Sequence, residues 1–315
     1  MTEAGGYDER RVLLVTHTGR EYALEVAREA HALLHDAGLV VRVLGAEAEA
    51  LALYPAEVAD DPEKAANDVE LIVVLGGDGS ILRGAELARP HGTPVLGVNL
   101  GHVGFLAEAE REDLERVVEV VVDRSYVVEE RMTLDVEVHA EGELVCKTWA
   151  LNEASVEKAA RERMLEIMVE VDGRPLSRWG CDGVVCATPT GSTAYAFSAG
   201  GPVVWPEVEA MLIVPLSAHA LFARPMVVAP TSRLAIELVR AFDGHAVLWC
   251  DGRRTVELPP NARIDVRRGE VPVRLARVHT APFTDRLVAK FDLPVLGWRG
   301  SAERRGAERE NGRNG

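Results

Sequence analysis

The period of the hydrophobic pattern changes partway along this chain, and no other feature constrains its fold as strongly. From Arg11 to about Val128, short apolar runs alternate with longer amphipathic stretches, as when strands and helices take turns in a parallel sheet. RVLLVT from Arg11 reads as a buried strand. REYALEVAREAHALLHD, Arg20 to Asp36, puts Tyr22, Leu24, Ala27, Ala30, Leu33 and Leu34 near helical spacing, with Gly38 placed to end the helix. LVVRVL follows as a strand. LIVVL from Leu71, a glycine turn, a helix from near Ser80 and PVLGVN from Pro94 repeat the unit, and REDLERVVEVVVD from Arg111 is the last helix of this half. Beyond about Glu129 the period becomes two. Leu134, Val136 and Val138 alternate with polar residues, as do Leu165, Ile167, Val169 and Val171. Asp172-Gly173 and Asp251-Gly252 read as turns, and runs at 234–238, 264–266 and 271–275 suit further antiparallel strands of a sandwich.

The expected organisation is a flexible N-terminus over 1–10, an α/β domain over 11–128, a β-sandwich over 129–280, a segment over 281–300 and a tail over 301–315. That tail has no Val, Ile, Leu, Met or aromatic residue and is predicted to be disordered. The 315 residues are enough for two cores. A formal charge of −15 argues against a sequence-independent grip on nucleic acid or an anionic membrane, while allowing a local basic patch for phosphates. Four cysteines, none in a CxxC spacing, make neither a disulfide framework nor a zinc site. No apolar run approaches the roughly 20 residues of a membrane span, and MTEAGGYDER lacks a signal-peptide layout. A cytoplasmic protein is expected.

Three segments carry candidate chemistry. In Gly76-Gly77-Asp78-Gly79-Ser80, glycines after an apolar strand let backbone N–H groups approach a phosphate, and the following helix adds positive partial charge. The motif is neither a Walker A sequence nor GxGxxG, and an ordinary strand-to-helix turn would also explain it. Asp78 has the chemistry to orient a hydroxyl and take its proton during phosphoryl transfer. Arg83, on the next turn, would neutralise phosphate charge or simply face solvent. Asn152-Glu153 pairs an amide with a carboxylate, suited to an adenine edge or a ribose diol, or to a plain strand end. The longest anomaly is CDGVVCATPTGSTAYAFSAGGPVV from Cys181, where Thr188, Thr190, Ser192, Thr193 and Tyr195 crowd around Gly191 and Asp182 adds a carboxylate. This density suits a loop wrapped around a polar ligand, or else a capped helix and a Gly-Gly-Pro turn. The nine histidines, His219 and His245 among them, show no ligand spacing, and no GxSxG elbow suggests a hydrolase.

Together these segments resemble the NAD kinase family, whose members phosphorylate the adenosine-ribose 2′-hydroxyl of NAD to give NADP. The likeness runs from about Arg11 to Gly300 and rests on LGGDGSILRGAE, PVLGVNLGHVGFLAE, LNEASVEK, CDGVVCATPTGSTAYAFSAGGPVV, HALFARPMV and APFTDRLVAKFDLPVLGWRG. It implies an N-terminal Rossmann-like α/β domain, a C-terminal all-β sandwich and a last segment packed back on the first domain. By resemblance, Asp78 would be the general base and Gly77 and Gly79 would shape the phosphate turn. Asn152 and Glu153 would hold the adenosine of NAD. Asp182, Thr193, Ala194, Tyr195, Ala196, Phe197 and Ser198 would line the rest of the site, with Arg83 and Arg163 contacting nucleotide. ATP, with polyphosphate as a second possible donor, Mg²⁺ or another divalent ion, and a homodimer or homotetramer are implied in the same way. Two departures stand out: Gly180-Cys181 precede Asp182 where the family often has a basic residue, and Arg253 stands in CDGR where glutamine is frequent. Arg253 is accordingly left out of the expected site. A lipid kinase with the same GGDG turn and a non-catalytic dinucleotide sensor are the alternatives.

Overall fold

A computed structural model describes residues 9–101, 104–107, 109–159, 164–240, 246–278 and 282–295. The first half is built on a sheet of eight strands. Glu57–Ala59, Val40–Leu44, Arg11–Thr16, Leu71–Leu75 and Val95–Asn99 lie side by side in that order, all parallel. Leu71–Leu75 is buried along its whole length, as a strand covered on both faces must be. The chain leaves Arg11–Thr16 toward one edge and returns on its other side at Leu71–Leu75. The carboxyl ends of those two strands therefore flank a topological switch point, where open α/β sheets bind ligands. Helices Glu21–Asp36, Asp78–Ala88 and Leu114–Val122 pack on the sheet.

The third of these helices follows the expected segment from Arg111, after a 3₁₀ turn at Arg111–Asp113. The helix expected near Ser80 begins at Asp78, because Gly77 supplies its extended cap. A short helix at Gly45–Leu51 has no counterpart in the expected pattern.

The second half is a sandwich of two six-stranded antiparallel sheets. One runs Met226–Val228, Met211–Leu216, Gly183–Ala187, Glu153–Lys158, Ala246–Cys250, Arg254–Leu258. The other runs Arg174–Cys181, Leu165–Val171, Leu234–Arg240, Arg263–Arg268, Leu134–Ala140, Glu143–Ala150. The alternation at Leu134, Val136 and Val138, and at Leu165, Ile167 and Val169, points these side chains into one core with Trp179, Leu248 and Ile264.

The expected domain borders need correction at both ends of the sandwich. Val127–Arg131 and Val273–Arg277 pair antiparallel with each other, and Leu275 lies beside Val95, so both strands belong to the first sheet. A period-two pattern reports a half-buried strand but not the sheet that takes it. The return to the first half thus begins at Val273 rather than at 281. It continues in helix Phe283–Phe291, where the Arg286 guanidinium donates to the carbonyls of Phe105 (3.0 Å) and Ala107 (3.1 Å). Residues 1–8 and the tail over 301–315 lie outside the described residues.

Candidate active site

The glycine turn is pinned to the sheet by Gly76 N–H donating to Val98 C=O (2.9 Å), at the carboxyl end of Leu71–Leu75. First-turn N–H groups of an α-helix have no partner within it, so Gly77, Asp78 and Gly79 present theirs where the helix starts. Beside them opens a cavity of about 610 Å³, lined by Thr16, His17, Arg20, Tyr22, Ala23, Gly76, Gly77, Gly79, Ser80, Arg83, Asn99, Leu100, Gly101 and Arg253. Predicted residues Gly77, Gly79 and Arg83 therefore share one wall. Arg83 is held by Glu47, which sequence reasoning missed: Arg83 Nη1 lies 2.6 Å from Glu47 Oε1, and Glu47 Oε2 accepts from Thr16 N–H at 3.2 Å. Burial pushes the Glu47 carboxyl up from its ordinary value, against the opposing pull of Arg83 and the Thr16 N–H.

Asp78 turns away from that cavity. Its Oδ2 accepts from Phe105 N–H (3.1 Å) and its Oδ1 from Leu106 N–H (3.0 Å). Gly104 makes this approach possible, since a Cβ there would stand 2.3 Å from Asp78 Oδ1. The carboxylate thus sits at the helix start with the phosphate turn on one side and the Phe105 segment on the other.

The sandwich supplies the opposite face. Leu151 is buried in one cluster with Ile81, Leu82, Ala85 and Leu106, which brings Asn152-Glu153 against the Asp78 helix. A second missed residue, Asp251, clamps this strand entrance: its carboxylate accepts the N–H groups of Leu151 (3.0 Å), Asn152 (2.6 Å) and Glu153 (3.4 Å), and Arg254 Nη2 lies 2.6 Å away. In sequence Asp251 is half of a turn pair, and nothing local signals a clamp reaching back a hundred residues. Glu153 is buried, and among the described residues its Oε2 has no hydrogen-bond partner. Burial, then the neighbouring Asp251 charge, pushes its carboxyl up to about 8 despite a hydrogen bond from the Tyr195 N–H. At neutral pH Glu153 holds its proton and can donate a hydrogen bond as well as accept one.

The hydroxyl-rich stretch folds onto that pair. Thr188 Oγ1 donates to Leu151 C=O (2.5 Å) and accepts from Gly191 N–H (3.1 Å), while Thr188 N–H donates to Asn152 C=O (2.9 Å). Gly191 touches the Asn152 backbone so closely that a Cβ would meet its carbonyl oxygen at 2.0 Å. Ser192 Oγ bonds the Val204 backbone twice and Thr193 Oγ1 donates to Thr190 C=O. Most of these hydroxyls therefore build the loop, which corrects the expectation that their number reflects a ligand. Ala196 likewise packs inward with Val185, Ala187, Val204, Leu212 and Val214. Tyr195, Phe197 and Ser198 are exposed, while Thr193 and Ala194 are half-buried. Phe197 stacks on Phe291 (4.7 Å), which in turn contacts Phe105, so the return helix joins the loop to the Asp78 segment. Asp182 pairs with Lys158 at 2.5 Å, so a cation from the neighbouring strand stands in for the basic residue absent at Gly180-Cys181. Arg163 and His245 lie outside the described residues.

A phosphate-binding turn at the switch point, an aspartate at the helix start and a sandwich closing over it define a two-part phosphotransferase of the GGDG class. Family models described as the ATP-NAD kinase N-terminal domain and the ATP-NAD kinase C-terminal domain match residues 12–126 and 151–278. The NAD kinase of Thermobifida fusca is 61% identical, covering 98% of this chain and 96% of its own. NAD kinase 2 of Streptomyces avermitilis is 63% identical over 93% and 97%. Among solved structures, an NAD kinase from Archaeoglobus fulgidus in complex with ATP has a TM-score of 0.67 at 28% identity, covering 89% of this chain and 98% of that one. Yeast NADH kinase complexed with NADH shares the fold with a TM-score of 0.84 at 22% identity over 91% and 89%. The chain belongs to the NAD kinase family. The likeness runs through both halves, whereas the lipid-kinase alternative shares the glycine turn alone.

Proposed function

We propose that this site transfers the γ-phosphoryl group of ATP to the 2′-hydroxyl of the adenosine ribose of NAD, giving NADP and ADP. The observation that carries the reading is the placement of Asp78, its carboxylate oriented by two backbone N–H groups between the phosphate turn and the Asn152-Glu153 strand. The donor phosphates occupy the cavity beside Gly77, Gly79 and Arg83, and NAD lies on the sandwich side. Asn152 and protonated Glu153 hold its adenosine, and Asp182, Tyr195, Phe197 and Ser198 border the remainder. As the ribose oxygen bonds to the γ-phosphorus, Asp78 takes the hydroxyl proton and the bond to the β-bridging oxygen breaks. Among the described residues no group of three or more His, Cys, Asp or Glu is placed to hold a metal. Mg²⁺ or another divalent ion would screen the ATP phosphates as part of the substrate.

A homodimer or homotetramer fits the exposed apolar surface at Leu221 and Phe222, and sedimentation would test it. Among the described residues no helix is long and apolar enough to cross a membrane. Four unpaired cysteines fit a reducing, cytoplasmic setting. The test is NADP formation from NAD with MgATP, and separately with polyphosphate, using Asp78→Asn as control. Product from the natural chain and none from the variant is expected. No product from the natural chain overturns the reading, and near-normal turnover by the variant overturns the base.

A further inference from the structure

We infer that Arg253, a sandwich residue, binds the phosphates of the donor across the domain boundary. Among the described residues, every other one lining the 610 Å³ cavity belongs to the first 101 of the chain; Arg253 enters from the far half. It joins Arg20 and Arg83 among the residues lining the space beside the glycine turn. Its position is fixed. Gly79, Arg83 and Glu86 follow one another at spacings of four and three on a single helix face. Arg253 Nε donates to Glu86 Oε1 at 3.2 Å, just beyond the cavity end of that stripe.

Among the described residues this bond engages Nε alone, which leaves the Nη donors for an anion; a guanidinium fork suits phosphate oxygens. The same Glu86 oxygen lies 3.3 Å from Arg254 Nε, and Arg254 reaches the Asp251 clamp beneath Asn152. Glu86 thus positions Arg253 from the framework that also sets the acceptor strand. Where the family often has glutamine at this place, the neutral side chain would leave the cavity one cation poorer. This inference deepens the proposed phosphotransfer and rests on it for the name of the donor.

The test compares the natural chain with Arg253→Gln, Arg253→Lys and Glu86→Gln. Steady-state kinetics give KM for ATP and for NAD, and calorimetry without NAD gives the affinity for ATP and for inorganic tripolyphosphate. Arg253→Gln is expected to raise the ATP KM and weaken tripolyphosphate binding about tenfold, the size of one charge-assisted contact. The KM for NAD should stay within about twofold, because Arg253 lines the donor cavity. Arg253→Lys should recover part of the loss by keeping the charge without the fork. Glu86→Gln should show a smaller loss of the same kind. An unchanged ATP KM in Arg253→Gln, or an equal rise in both KM values, overturns the inference. If the natural chain makes no NADP, the phosphotransfer reading fails by itself; loss of tripolyphosphate affinity in Arg253→Gln would still uphold the anion contact.

Discussion

The glycine turn at 76–80 and the hydroxyl-rich stretch at 188–198 look alike as sequences, both short, polar and rich in small residues, yet the structure uses them in opposite ways. The turn spends almost no side chain on holding itself together. Its backbone is set by Gly76 on Val98 and by the helix that follows, so the first-turn N–H groups stay at the cavity while the Asp78 carboxylate alone turns to backbone, at Phe105 and Leu106. In the stretch, Thr188, Ser192 and Thr193 direct their hydroxyls back onto protein backbone. What it offers a ligand is its shape and its exposed side chains, Ser198 together with Tyr195, whose hydroxyl donates to Glu157, and Phe197, which stacks on Phe291. A polar segment marks a site when its polar groups remain unsatisfied by the fold, and a count of hydroxyls does not report that.

Substitutions can break this contrast, and the largest effect belongs to the turn. Asp78→Asn keeps the shape and an acceptor for one of the two backbone N–H groups but turns its own N–H groups toward the other, so the fold should persist with a thermal midpoint lowered by a few degrees. Turnover should fall by roughly a thousandfold or more, the range for removing a general base. Rates of NADP formation and calorimetric melting check the two halves of the statement together. Next comes Gly191→Ala in the stretch. The added Cβ meets the Asn152 carbonyl oxygen at 2.0 Å and its carbon at 2.4 Å, backbone atoms that cannot step aside. A loss of about 3 kcal/mol by denaturant titration is expected; a variant as stable as the natural chain would show that the loop does not sit on this strand.

A smaller effect separates structure from binding within the stretch. Thr188→Val removes a buried hydroxyl that serves Leu151 C=O and Gly191 N–H, and should cost about 2 kcal/mol of stability. Ser198→Ala, at an exposed position, should leave stability alone and shift only the KM for NAD. If the two variants traded these phenotypes, the division between loop-building and ligand-facing hydroxyls would be wrong.

What was legible beforehand follows the range of the interaction. The parallel half, the alternating strands and the glycine turn rest on neighbours within a few residues, where period and turn chemistry act directly. Asp78, Asn152 and Glu153 stand in motifs that resemble those of the family, and the resemblance is what gives each its expected role. Glu47, Asp251 and Arg253 are outside the expected site. Glu47 sits on a seven-residue helix that periodicity cannot resolve, and it gains its meaning from Arg83, 36 positions on. Asp251 looked like good turn chemistry, and is, with a positive φ of 56°, while its carboxylate serves a strand far upstream. The strand Val273–Arg277 was assigned to the wrong sheet for the same reason: the pattern carries burial but not the identity of the partner.

The electrostatics of the acceptor strand can be tested by changing pH. Glu153 is buried beside Asp251, which pushes its carboxyl up to about 8 in the folded chain, while in the unfolded chain it titrates near 4.5. Between those pH values the unfolded state has lost the proton and the native state still holds it. The native state binds more protons, so stability declines as pH rises from about 4.5 to about 8 and levels off beyond. Glu153→Gln keeps the shape of the protonated form and cannot ionise, so this part of the decline vanishes. Asp251, also pushed up by burial, remains in both proteins, and the difference between them isolates Glu153. Melting the ligand-free proteins at pH 5 and pH 8.5 should move the gap in midpoint toward the variant by about 5 °C. A gap that does not change with pH would mean that Glu153 is already ionised in the fold. The acceptor strand would then present a carboxylate to the ribose, and the contrast would become one between two anionic sites on either side of the transferred phosphoryl group.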